Sequence, residues 1–231
     1  FKYFYFLESL LVKRLEAKIF TNFDRITLFS KKEAEKIKKI YKNKVFQIDE
    51  SVERVVKKFS YSKLNNKILF IGNLNYLPNL LACKDFIYNV LPKLKKKIPQ
   101  IRFCVIGSIS SFNNFILKKT NVEILGTKKN LSKYIKNSFC GLANLQIATG
   151  VQGKVMTYMS YGLPVICSKK VAQNFSLNVL SYSKNSDLVE KIISLKKSKI
   201  KSNVFSKKSL KQAKSLIWKK VNKKYLQILK F

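Results

Sequence analysis

The chain has 231 residues, 46% hydrophobic and 13% aromatic, which is enough to bury one substantial core and excludes a disordered polypeptide. Its formal net charge of +35 comes almost wholly from lysine, since arginine stands only at Arg14, Arg25, Arg54 and Arg102, so sequence-specific base recognition through guanidinium forks is not expected. Two readings of the charge stay open: compositional drift toward Lys, Asn and Ile, or a basic face directed at an acidic lipid or glycan.

Histidine is absent, which removes every Ser-His and Cys-His nucleophile pair. Cys83, Cys104, Cys140 and Cys167 are widely spaced, sit in or beside apolar runs and show no metal-ligand spacing. They are expected as buried free thiols in a reducing compartment. No run of about eighteen apolar residues occurs, so no membrane span is expected. The opening Phe1 to Glu8 carries an acid and no cleavage pattern, and an initiator methionine is missing. The expectation is a cytoplasmic chain, with room for peripheral contact at the inner face of the cell membrane, cut from a longer polypeptide.

Along the chain, Leu7, Leu10, Leu11, Leu15 and Ile19 recur at helical spacing. Residues 25–30 predict a short strand and residues 31–41 an amphipathic helix, with Ser30 and Glu33 as its capping pattern. Residues 45–48 predict one more strand. Residues 57–66 are polar and turn-like, and a domain junction is expected there. Strands are then predicted at 67–72, 101–106, 122–125, 139–145, 165–167 and 179–182. Helices are expected between them at 79–94, 112–118, 131–137 and after Gly153, then from Ser186 and from Ser206 to the end. Near-continuous apolar strands alternating with helices predict an α/β fold with a doubly wound parallel sheet, Rossmann-like.

The seven glycines all lie between Gly72 and Gly162, most densely in the segment from Gly150 to Gly162. That segment reads as a glycine loop, a helix and a tight turn into the next strand. Unpaired backbone N–H groups at such a helix start can hold a phosphate, and glycines let the main chain approach it. Ligands of doubly wound sheets bind beyond the carboxyl ends of the strands, where Gly72, Gly107 and Gly126 stand. The site reading is preferred for Gly72 and for Gly150 to Lys154. Val155 and Met159 are expected in the core, whereas Tyr158 and Tyr161 could pack the helix or stack on a base.

The run Phe70-Ile71-Gly72-Asn73-Leu74-Asn75-Tyr76-Leu77-Pro78-Asn79 resembles the F-x-G-x-x-x-Y-x-P-N opening of the carboxyl-terminal domain in a branch of the family-4, GT-B-fold glycosyltransferases. Gly150-Val151-Gln152-Gly153-Lys154-Val155-Met156, with Met159 and Gly162-Leu163-Pro164-Val165-Ile166, is similar to that branch's G-x-Q-x-K-x-L-E-x-M-x-x-G-x-P-V-V segment. Val105-Ile106-Gly107, the stretch 122–134 and Trp218 in a final helix fit the same pattern. The resemblance implies a metal-independent, cofactor-free transferase that takes a sugar from a nucleotide diphosphate donor with retention of configuration. The acceptor would be a cell-envelope polysaccharide or glycolipid. The resemblance also implies that the Rossmann-like sheet is preceded by the remnant of a second α/β domain, with 1–60 as that acceptor-side remnant and linker, 61–205 as the nucleotide-sugar-binding Rossmann-like domain, and 206–231 as a terminal crossover helix. It implies Lys154 as the catalytic cation and Gly150, Val151, Gln152 and Gly153 as the loop holding the diphosphate. Gly72 and Asn73 would form the opposite wall and Thr157 would face the ribose. Two glutamates usual in the family fall on Thr149 and Thr157 here. The first is often absent in this branch; loss of the second replaces a charged acceptor by a neutral hydroxyl, at about 1–2 kcal/mol of donor affinity. A catalytically degenerate scaffold with the same fold is the alternative this departure raises.

Overall fold

A computed structural model describes residues 2–56, 59–118, 121–175 and 179–229. Helix α1 (Lys2–Asn22) leads into a small parallel unit, β1 (Ile26–Leu28), α2 (Lys31–Tyr41) and β2 (Val45–Gln47). The Ser30 hydroxyl accepts from the Glu33 N–H at 3.3 Å, so the capping pattern starts α2 where the sequence places it. Ile26, Ala34 and Val45 close a separate small core. Helix α1 extends beyond the predicted apolar stripe at both ends, and Leu7, Leu11 and Leu15 on that stripe are 60%, 65% and 58% exposed.

The main body is a six-stranded parallel sheet of β3 (Lys67–Ile71), β4 (Arg102–Ile106), β5 (Val122–Ile124), β6 (Ser138–Ala143), β7 (Val165–Ser168) and β8 (Leu180–Tyr182). Its order is β5-β4-β3-β6-β7-β8, the doubly wound Rossmann arrangement. The central strands are buried on both faces, which is why Ile68-Leu69-Phe70 and Phe103-Cys104-Val105 are uninterrupted apolar runs. Strand order reverses between β3 and β6, and at such a reversal the ligands of doubly wound sheets bind in the crevice outside the strands' carboxyl ends.

Helices cover both faces. The predicted helix at 79–94 begins earlier, as α3 (Leu77–Asp85), passes through a π-helical turn at Phe86–Val90 and resumes as α4 (Leu91–Lys97). Pro92 accounts for the wider turn, because it brings no N–H to the ladder and its ring crowds the carbonyl one turn back. Short helices α5 (Ser111–Leu117), α6 (Ser132–Lys136), α7 (Gly153–Ser160) and α8 (Lys169–Ala172) follow the strands, then α9 (Asn185–Lys197). The last predicted helix differs most. It starts earlier, as α10 (Lys199–Ser215) capped by Ser198, and it breaks before α11 (Trp218–Leu229). At the break, Val52 of the linker donates to the Leu216 carbonyl at 2.8 Å and accepts from the Trp218 N–H at 3.3 Å. The chain end thereby returns to the first unit, and Lys224 stands 3.9 Å from Asp49.

All four cysteines are buried and free, as expected. Burial pushes their thiols up, Cys104 to about 11 and Cys167 to about 12, so they stay protonated and unreactive. Among the described residues, no helix is long and apolar enough to cross a membrane.

Candidate active site

Two loops close the carboxyl edge of the sheet and are stitched to each other. After β3, the Asn73 Oδ1 accepts from the Asn75 N–H at 2.9 Å, an Asx turn, and Asn75 Oδ1 accepts from the Ser110 N–H at 2.8 Å. Leu74 donates to the Ser108 carbonyl at 2.8 Å. Gly107 sits under this turn with φ +154°, and a Cβ there would lie 1.8 Å from the Gly72 carbonyl oxygen. Gly107 is therefore needed for packing.

On the other side of the crevice, Gly150 takes φ +68° and turns the chain into α7. The Gln152 side chain donates back to the Thr149 carbonyl at 3.3 Å and tightens the loop. Neither Gly150 nor Gly153 has an atom within 4 Å of where a Cβ would be, so the approach to this loop is open. The start of α7 then presents backbone N–H groups of Gly153 and Lys154 with a positive helix end behind them.

Lys154 is largely withdrawn from water. Its ammonium donates to Asn79 Oδ1 at 2.6 Å and stands 3.9 Å from the centre of the Phe70 ring. Withdrawal from water pulls it down from the ordinary lysine range to about 7. Asn79 is buried and donates through Nδ2 to the Asn73 carbonyl at 2.9 Å. The structure thus brings Gly72, Asn73 and Lys154 together through a residue that stands in the resembling motif but received no role from sequence.

Gly153 and Thr157 face a different space. They line a cavity of about 390 Å³ with Glu50, Glu53 and Arg54 from the linker and Tyr161 from the turn after α7. Thr157 donates its hydroxyl proton to the Gly153 carbonyl at 3.1 Å, leaving only its oxygen lone pairs for a ligand. Glu50 is half-buried, and burial pushes its carboxyl up; among the described residues it has no hydrogen-bond or ion-pair partner. It also lies beside Val151 and Met156 in a small gap behind the loop. Glu50 and Glu53 carried no sequence signal, because they belong to a linker a hundred residues (roughly) upstream of α7 and only folding brings them here. A roomier cavity of about 770 Å³ lies at the opposite edge of the sheet, by Lys67 and Arg102 at the starts of β3 and β4.

Val155 and Met159 are buried in the core as expected. Tyr158 is fully buried too, which decides between packing and base stacking in favour of packing. The β3–β6 ladder ends at Leu69 and Gly141, and beyond it the strands diverge. Tyr158 fills that fork: its hydroxyl accepts from the Ile71 N–H at 2.7 Å and donates to the Leu142 carbonyl at 3.3 Å. Tyr158→Phe leaves both backbone groups without this partner, and a loss of about 1–3 kcal/mol in urea unfolding is expected. An unchanged unfolding midpoint would show that the bridge contributes nothing.

The fold of this chain occurs in solved structures. TarM matches 94% of this chain with a TM-score of 0.74 at 13% identity, the chain covering 46% of TarM. A TarM variant from S. aureus, in complex with Fondaparinux, alpha-GlcNAc-glycerol and UDP, matches 91% of this chain with a TM-score of 0.74 at 14% identity, over 45% of its own length. Anabaena Alr3699/HepE in complex with UDP matches 89% with a TM-score of 0.71 at 11% identity, over 63% of its length. The chain therefore spans about half of TarM and under two thirds of HepE, and at these identities the likeness is one of fold. No curated protein matches by sequence. The model of the family "Glycosyl transferases group 1" matches residues 65–197, from just before β3 to the end of α9 and including the whole loop and helix that hold Lys154. By that match over more than half of its length, and with the Rossmann-like fold around it, the chain belongs to the group 1 glycosyl transferases.

Proposed function

We propose that this chain forms the donor-binding side of a retaining, metal-independent glycosyltransferase that moves a sugar from a UDP-linked donor to a cell-envelope polysaccharide or glycolipid. The observation that carries the reading is the Lys154 ammonium, held at 2.6 Å by Asn79 at the open start of α7, in the crevice where β3 and β6 part. As the sugar leaves, negative charge grows on the diphosphate. Backbone N–H groups of Gly153 and Lys154 and the Lys154 ammonium are placed to meet it, with little reorganisation. UDP as the nucleotide is supported by the structures of similar fold, which include HepE with UDP-glucose and the pneumococcal O-GlcNAc transferase GtfA with UDP and GlcNAc.

In this reading the carboxylate missing at Thr157 is replaced from the linker. Glu50 shares the cavity of Gly153 and Thr157 and has a free carboxylate to accept ribose hydroxyl protons. Titration of the chain with UDP is expected to saturate below about 1 mM, and no saturable binding at that level would overturn the proposal. Glu50→Gln is expected to weaken UDP about tenfold while leaving inorganic pyrophosphate unaffected, the effect of losing one charge-assisted hydrogen bond to a hydroxyl. One observation favours a second reading, a degenerate scaffold: the Thr157 hydroxyl proton is committed to Gly153. UDP binding indifferent to both Glu50 and Lys154 would select it.

A further inference from the structure

We infer that Asn79 is a positioning residue for donor capture: the two ends of its amide hold the Asn73 carbonyl and the Lys154 ammonium, and so fix the cation against the turn that follows β3. The inference rests on reading Lys154 as the cation that meets the diphosphate. The geometry admits one orientation of the amide. Nδ2 faces a carbonyl at 2.9 Å and Oδ1 faces an ammonium at 2.6 Å; the flipped amide would set donor against donor and acceptor against acceptor. Gly72 leaves the room for it, since a Cβ at that position would lie 2.8 Å from Asn79 Nδ2. Asn79 is itself buried at 7% exposure, early in α3 after Pro78, so the amide is carried by a helix packed on the sheet and not by a loop. One residue thereby ties the β3 turn to α7, the two walls of the crevice.

The arrangement also sets when Lys154 is charged. The Phe70 ring and the Asn79 oxygen are the groups in direct contact with the ammonium. Of the titratable groups around it, Cys83 belongs to α3, and Tyr158 of α7 lies near Cys83; burial pushes both upward, so both are neutral at pH 7. The Asn79 oxygen is thus the one polar acceptor the described residues give the cation. For a lysine lowered to about 7, the charged form is complete below that pH and is lost above it. UDP affinity is therefore expected to fall on the alkaline side of 7, by up to about tenfold per pH unit.

The test is the pH profile of UDP affinity between pH 6 and 9, with melting curves to confirm folding. Asn79→Asp places a carboxylate by the ammonium and is expected to move the alkaline fall upward by about one unit or more. Asn79→Leu removes the acceptor and moves it downward. Gly72→Ala presses a methyl on the same amide and is expected to shift it in the same direction as Leu, which serves if the Leu variant does not fold. Folded variants whose fall stays at the wild-type pH overturn the role of Asn79. Titration of the lysine ammonium by 15N NMR on the ligand-free chain scores the same shifts without UDP. Variants that show them, beside a wild-type chain that binds no UDP, overturn the donor reading and leave the Asn79 contact standing.

Discussion

Lys154→Met is expected to weaken UDP about 100-fold while uridine, which lacks the phosphates, binds as before. Methionine follows the lysine stem over the Phe70 ring and cannot donate a proton, so the variant removes the charge and keeps the packing. Two charge-assisted bonds to a diphosphate, at about 1.5 kcal/mol each, account for the factor. The melting temperature should move little. The variant leaves the Asn79 oxygen without its cation but also removes an ammonium held partly out of water, and these two effects oppose each other. Isothermal titration with UDP, pyrophosphate and uridine separates the possibilities. Equal losses for all three would mean a collapsed crevice, and no loss for pyrophosphate would remove Lys154 from the diphosphate.

Gly107→Ala is expected to have the largest effect on folding of any single substitution considered for this chain. The added methyl carbon would lie 1.8 Å from the Gly72 carbonyl oxygen and 3.2 Å from the Asn73 nitrogen. Both are backbone atoms fixed by the ends of β3 and β4, so no side-chain rotation relieves the overlap. Separating two central strands of a parallel sheet costs about 3 kcal/mol or more, which lowers the melting temperature by roughly 6–12 °C. The expected outcome is a chain that expresses poorly or melts within that range below wild type. Gly126→Ala is the control, because that position has open space around it; it carries only the strain of φ +65°. Equal melting for the two variants would contradict the close approach at Gly107.

The two expected results differ in how far each was legible from residues alone. Gly107 reads as a strand terminator, with a packing role and a site role equally open. Its need for a bare Cα arises from the Gly72 carbonyl thirty-odd residues (about 35) earlier, and only strand register brings the two together. Lys154 stands out by its place after a glycine loop, since a helix start and the residue that begins it are neighbours in sequence as in space. Its environment does not, because Asn79 and Phe70 come from α3 and β3.

The order of elements was determined by the sequence, for a simple reason. Strands buried on both faces have no room for polar residues, so β3, β4 and β6 show as continuous apolar runs, and crossover handedness then leaves the doubly wound sheet. The Ser30 cap and the Gly150 turn are equally local, and they lie where the residues place them. Tertiary structure alone decided the break between α10 and α11, which Val52 imposes from a linker far away in sequence, and the burial of Tyr158 in the fork of β3 and β6. It also decided that Glu50 should stand across a cavity from Thr157 and that one amide should hold both walls of the crevice. Periodicity and turn chemistry act over a few residues, whereas a site at a strand-order reversal is assembled from segments whose only link is the sheet they share.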